Sequence, residues 1–185
     1  MKLKSTYKDA HNKKKVREFL FSLFMDQQLN KIVGLAGPDI NDYINFCKSR
    51  GYDEFEIYEN HLPTAIDQIK FIRTKGKISL SYGNILNADA NRKGVLFDLD
   101  YCVTARYMRS HIKKFGSNFI MTFARRIDDK ETFTTFLNAR KESLKSVLTL
   151  FSPIKHSILT TKEGNDYYYV EYRDTSNMCC FAKIN

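Results

Sequence analysis

Gly94-Val95-Leu96-Phe97-Asp98-Leu99-Asp100-Tyr101 decides the fold of this chain. Val95, Leu96 and Phe97 form a continuous apolar run, the pattern of a strand buried on both faces. The run stops at an acid, and an aromatic follows three residues after it. In an open α/β sheet the carboxyl ends of the central strands face the ligand crevice. An acid and an aromatic placed there suit a flat, hydrogen-bonding group such as a nucleobase.

Upstream of this strand the sequence alternates strand and helix. Val16, Phe19, Leu20, Leu23 and Phe24 recur at helical spacing and predict a helix over 13–28. Lys31–Gly37 reads as an apolar strand ending in glycine. Asp39–Arg50 reads as a helix with Ile40, Tyr43, Ile44 and Cys47 on one face, closed by Gly51. Glu54–Glu59 alternates as a strand, Thr64–Thr74 is helical behind Pro63, and Lys77–Tyr82 is a strand running into Gly83-Asn84.

Downstream, Thr104–Phe115 predicts a helix, Asn118–Ala124 a strand and Asp128–Leu150 a long helix. Lys155–Thr161 and Tyr167–Tyr172 read as a hairpin around Glu163-Gly164-Asn165-Asp166. Met178–Ile184 extends the sheet or adds an edge strand. In Tyr167-Tyr168-Tyr169 the side chains must alternate between the two sides of the strand, so at least one belongs to the core. Regular βα alternation implies a parallel sheet with helices on both faces.

A β-hairpin after the last helix is foreign to ordinary dinucleotide-binding sheets. It resembles the class I methyltransferase fold, in which a seventh strand inserts antiparallel, and the resemblance runs from about residue 30 to the end. Asp98-Leu99-Asp100-Tyr101 resembles the Asp-Pro-Pro-Tyr motif of S-adenosylmethionine-dependent amino-methyltransferases, with both prolines absent. The resemblance implies an α/β, Rossmann-like methyltransferase fold: a mainly parallel seven-stranded sheet, helices on both faces and a C-terminal β-hairpin.

It also implies a site. The first βα junction, Val33-Gly34-Leu35-Ala36-Gly37-Pro38-Asp39, stands where methyltransferases carry a glycine-rich loop against the cofactor's amino-acid moiety. Gly34, Ala36 and Gly37 then line S-adenosylmethionine; the bland alternative is a tight turn with Asp39 capping a helix. Glu59 ends the second strand, 22 residues after Gly37, where an acid accepts from ribose hydroxyls. Otherwise it is an exposed strand-end acid.

Gly83-Asn84-Ile85-Leu86 resembles the element whose amide or acid bonds the adenine amino group while the next apolar residue packs on the ring, as Asn84 and Ile85 would. The competing reading is a Gly-Asn turn. Asp98 also borders the cofactor, and with Tyr101 forms the catalytic pair: the carboxylate accepts from the target amine and the ring stacks on an extruded base. Alternatively Asp98 and Asp100 cap a turn and Tyr101 packs in the core.

Composition sets the outer bounds. The 185 residues, 43% hydrophobic, are read as a basic N-terminal arm over 1–15 and one methyltransferase-like domain over 16–185. No run approaches a membrane span and the N-terminus lacks a secretory h-region, so a soluble, cytoplasmic protein without membrane partners is expected. Cys47, Cys102, Cys179 and Cys180 form no C-x-x-C pair and the four histidines are scattered, so no metal site is expected.

The net charge of +9 points to a polyanion, with nucleic acid, DNA or RNA, ahead of generic solubility charge. Lys13, Lys14 and Lys15 in the arm and Arg125-Arg126 after the fifth strand are the candidate phosphate contacts. The expected function is a methyltransferase acting on a nucleic acid, at an exocyclic amino group with adenine N6 favoured. The alternative is a catalytically degenerate methyltransferase-like protein that binds nucleic acid or a protein partner.

Overall fold

The computed structural model describes residues 11–73, 77–104, 114–115, 118–124, 140–143, 155–160, 166–173 and 177–184. The first helix, α1 (His11–Ser22), buries Val16 and Leu20 four residues apart together with Phe21, and Phe24 is buried just beyond its end. It ends earlier than the predicted 13–28. The Ser22 hydroxyl donates to the Phe19 carbonyl at 2.6 Å, and Leu23 and Phe24 reach back only three residues, to Leu20 and Phe21. These tighter bonds turn the chain out of the α-helical ladder. Lys13, Lys14 and Lys15 belong to α1, while residues 1–10 of the expected arm lie outside the described residues.

Strand β1 (Lys31–Gly34), helix α2 (Ile40–Lys48), strand β2 (Glu54–Glu59), helix α3 (Leu62–Ile72) and strand β3 (Ile78–Tyr82) follow in the expected alternation. Asp39 caps α2, accepting from the Asp42 amide at 3.4 Å, and Gly51 takes a left-handed φ of +89° beyond its end. Pro63 sits in the first turn of α3, where its missing N–H costs nothing.

The longest strand, β4, runs Val95–Thr104. It therefore continues through Asp98, Asp100 and Tyr101 and does not end at Asp98 as the apolar run suggested. Asp100 is tolerated there because it meets two cations of α1: Lys13 Nζ at 2.6 Å and Arg17 at 3.3 Å. The pairing of β4 with β5 (Phe119–Ala124) shifts register only after Asp100. Thr104 is thus strand and not the start of the predicted helix; Lys114 and Phe115 are helical, and the rest of that helix lies outside the described residues.

The predicted helix Asp128–Leu150 is overturned at Arg140–Ser143. These residues form β6, paired antiparallel with β7 (Lys155–Thr160) from Arg140↔Thr160 to Ser143↔Ser157. The unpaired edge of β7 offers backbone groups that an edge strand satisfies, and that pairing overrides the local apolar period. The remaining residues of that prediction lie outside the described set. β8 (Asp166–Arg173) and β9 (Asn177–Lys183) complete the sheet.

The strand order is β3-β2-β1-β4-β5-β9-β8-β7-β6. β1 to β5 are parallel; β9 inserts antiparallel between β5 and β8. The first seven strands of this order are the expected methyltransferase arrangement, and β7 and β6 extend it by two. Met178–Ile184 accordingly supplies an interior strand and not an edge.

Two apolar clusters sandwich the sheet. One joins α1 and α2 to Ile32, Phe55, Ile57, Leu96 and Ile120. Within it Phe21 meets Phe46 edge-on at 5.0 Å and Tyr52 at 5.9 Å, contacts worth about 0.5–1.5 kcal/mol each beyond simple burial. The opposite cluster joins Val33, Phe97, Leu99, Phe119 and Phe181 to Phe115 and to Ile85 of the 3-10 turn Ile85–Asn87. Tyr167 and Tyr169 lie in this second core and Tyr168 borders the first, as strand alternation requires.

Glu56 braces this face. Arg92 grips its carboxylate with two nitrogens, at 2.5 and 3.3 Å, while Lys31 and Tyr58 add contacts at 3.2 and 2.9 Å. These partners, Arg92 foremost, hold the Glu56 carboxyl down at about 2. The loop entering β4 is thereby fastened across β1 to β2.

Candidate active site at the carboxyl edge of the sheet

Strand register gathers the first set of candidates. Gly34, the last residue of β1, pairs with Asp98 on one side and Ile57 on the other. Leu35 N–H still bonds the Asp98 carbonyl at 3.1 Å, and then the chain leaves the sheet. Glu59 ends β2 opposite Tyr82, and Gly83 N–H bonds the Glu59 carbonyl at 2.9 Å. The ends of β1, β2 and β3 and the middle of β4 therefore share one edge. This is where an open α/β sheet presents ligands.

Gly34 is glycine because β4 and α2 leave no room for a side chain. A Cβ there would stand 2.5 Å from the Asp98 carbonyl oxygen and 2.8 Å from the Tyr43 hydroxyl. Gly37 differs: its φ is +64°, and a Cβ would meet nothing within 4 Å. It turns the loop beside open space. Ala36 lies half-buried against the core of α1 and α2.

Glu59 accepts from the His61 amide at 2.8 Å and so holds the turn into α3. By alternation with Phe55 and Ile57 its side chain faces the same side of the sheet as Asp98. Asn84 is exposed and accepts from the Leu86 amide at 2.9 Å, capping the 3-10 turn. Its oxygen retains a second lone pair for a ligand. Ile85 is only 2% exposed and is spent on the core, so it offers no surface to a ring.

Asp98 is the unusual group. It is 2% exposed, and its Oδ2 has no hydrogen-bond partner. Burial pushes its carboxyl up to about 6, with Arg17 opposing and Asp100 reinforcing the shift. The buried Tyr43 hydroxyl beside Gly34 is pushed up by burial first and then by the neighbouring Asp98 carboxylate. Arg17 spans the cluster, its guanidinium 5.5 Å from the Tyr43 ring and 5.7 Å from that of Phe46. A small cavity between α1 and the sheet is lined by Lys13, Arg17, Asp98, Asp100, Thr122 and Cys180.

The structure does not bring Tyr101 to Asp98. Leu99 belongs to the opposite cluster, and Tyr101 packs on that same side, stacked on Phe123 at 5.5 Å and 21° between planes. Asp98 and Tyr101 therefore occupy opposite faces of β4. Lys13 is committed to Asp100, Lys14 is exposed and Lys15 half-buried. Arg125 and Arg126 lie outside the described residues.

Sequence reasoning passed over Arg17, Tyr43 and Gln68. Lys13 and Arg17 stand four apart on one face of α1, a spacing that marks a shared acidic partner. Gln68 falls three residues after Ala65, on the inner face of α3, where an apolar residue is expected.

No family model matches the sequence, and no curated protein is significantly similar. Solved structures do match. A proposed RNA methyltransferase of Pyrococcus horikoshii is 11% identical with a TM-score of 0.52, over 95% of this chain and 88% of that one. A proposed tRNA (m1A22) methyltransferase of Streptococcus pneumoniae is 12% identical with a TM-score of 0.51, over 91% and 70%. A proposed methyltransferase of Escherichia coli is 11% identical with a TM-score of 0.51, over 94% and 87%. With β9 inserted antiparallel beside β5 and these neighbours spanning almost its whole length, the chain has the Rossmann-like fold of the class I methyltransferases.

Proposed function

We propose that this chain is an S-adenosylmethionine-dependent methyltransferase acting on nucleic acid, at an exocyclic amino group, with adenine N6 ahead of cytosine N4. The observation that carries the reading is the convergence of Gly37, Glu59, Asn84 and the buried carboxyl of Asp98 along one sheet edge. Two features fit a donor there: the open, left-handed turn at Gly37 and the unpartnered Asp98 oxygen. The net charge of +9 and the RNA named for two of the three structural neighbours support a nucleic-acid substrate, RNA first.

A bound donor supplies an activated methyl group on a sulfonium. The chain's own task is positioning, since in-line displacement gains most from holding the partners in near-attack geometry. Glu59 and Asn84 would fix the nucleoside end by their remaining acceptor sites. Asp98, ionised above about pH 6, would accept from the target amine and help localise its lone pair. In this reading α1 must yield at Lys13 and Arg17 to admit the base.

A second reading has its own support. α1 covers Asp98 and pairs with Asp100, and Phe123 takes the face of Tyr101. That arrangement suits a methyltransferase-like protein without catalysis, binding nucleic acid or a protein partner. Calorimetric titration of the folded protein with S-adenosylhomocysteine, followed by methyl transfer from labelled donor to RNA and DNA, separates the two. Binding heat with transfer to RNA is the expected result. Heat without transfer to either nucleic acid supports the second reading, and no heat at millimolar ligand overturns the enzyme.

A further inference from the structure

Ala65 and Gln68 are the buried residues of α3, and Gln68 is 1% exposed. Its Nε2 donates to the Gly37 carbonyl at 2.6 Å, across 31 residues of chain. Its Oε1 is equally buried and has no partner. The amide orientation is unambiguous, because turning it over would set two oxygens against each other. A buried, half-satisfied amide serves stability worse than a leucine of similar size. What this one achieves is local: it seizes the carbonyl of the single residue that turns the β1–α2 loop through left-handed space.

The geometry points to Gln68 as the positioning residue for the methyl donor, an inference that rests on the function proposed above. By anchoring the Gly37 carbonyl to α3 it draws that oxygen away from the open side of the turn, where a Cβ would meet nothing within 4 Å. Its grip keeps an electron-rich carbonyl out of the space offered to the donor and holds the loop open before binding. Gln68 touches neither donor nor acceptor in this scheme. It sets affinity through Gly37.

The test uses the full chain with Gln68→Leu and Gln68→Glu, S-adenosylhomocysteine as the probe, and thermal unfolding beside calorimetry. The leucine variant keeps or raises the wild-type midpoint and binds about tenfold more weakly, the loss of one well-made hydrogen bond. The glutamate variant binds as weakly at pH 8, where its carboxylate has no proton to donate. It recovers towards wild type as the pH falls, because a protonated carboxyl can donate to the Gly37 carbonyl. A merely structural role predicts a lowered midpoint and no such pH-dependent recovery. A leucine variant within about twofold of wild-type affinity, or a glutamate variant whose weak binding ignores pH, overturns the assignment. Wild-type protein that gives no heat overturns the donor reading itself.

Discussion

Asp98→Asn makes the folded chain more stable at neutral pH, by about 2–3 kcal/mol, and Asp98→Ala, which removes the acceptor for the target amine, abolishes methyl transfer. The stability gain follows from the raised carboxyl. Asp98 sits at about 6 when folded against an ordinary value of 3.8, a shift of roughly two pH units at about 1.4 kcal/mol each. The folded state holds a proton that the unfolded chain has already released between these values. Stability therefore falls as pH rises from about 4 to about 6 and stays lower above that window.

Asparagine has nothing to ionise, so its advantage is absent at about pH 4, opens through the same window and persists at pH 7. Urea denaturation at pH 4 and pH 7 reads it directly. A variant no more stable than wild type at both values would show that the carboxyl is not under the strain its burial implies. A gain of stability on neutralising a buried carboxylate is the usual signature of a charge kept for chemistry. Transfer that survives the change to alanine would remove Asp98 from the reaction.

Gly34→Ala costs about 3 kcal/mol. The new methyl would lie 2.5 Å from a backbone oxygen of β4 and 2.8 Å from the Tyr43 hydroxyl. The hydroxyl can move, but the carbonyl is held in the sheet by the Leu35 amide. Tyr43→Phe in the alanine background therefore restores only part of the loss. A drop of less than about 0.5 kcal/mol in the single variant, by chemical denaturation, would mean that β1 and β4 part more easily than their register allows. The same substitution at Gly37 would meet no atoms, only the strain of its φ.

The parts of the fold legible in the sequence are those whose cause is local. Asp39, Gly51 and Pro63 punctuate α2 and α3 by their own backbone chemistry, and Phe55 and Ile57 alternate with acids along β2. β4 was legible only to Phe97. What carries it on through Asp98 and Asp100 is a pair of cations on α1, with Arg17 83 residues away in sequence. For the same reason the ion pair of Lys13, a candidate phosphate contact, with Asp100 is invisible in the sequence. Arg140–Ser143 was lost to a helical period because the backbone of β7 that it satisfies lies farther along the chain.

The candidate site divides along the same line. Gly34, Glu59, Asn84 and Asp98 meet because strand order alone brings their positions together. A pairing of Tyr101 with Asp98 requires the strand to end at Phe97, and β4 runs on to Thr104. In a strand, residues three apart face opposite sides, and Phe123 takes the ring. Gln68 escaped notice because a single polar residue on an amphipathic helix gains meaning only when its partner, the Gly37 carbonyl, is seen.

The most direct measurement is the map of backbone amide resonances as S-adenosylhomocysteine is added to the isotope-labelled chain. The account predicts shifts concentrated at residues 35–37 and 39, 59–61, 83–86 and 98–99, which converge on one sheet edge from four separate segments. Amides that do not move, or shifts confined to the β7 and β6 edge, would contradict it.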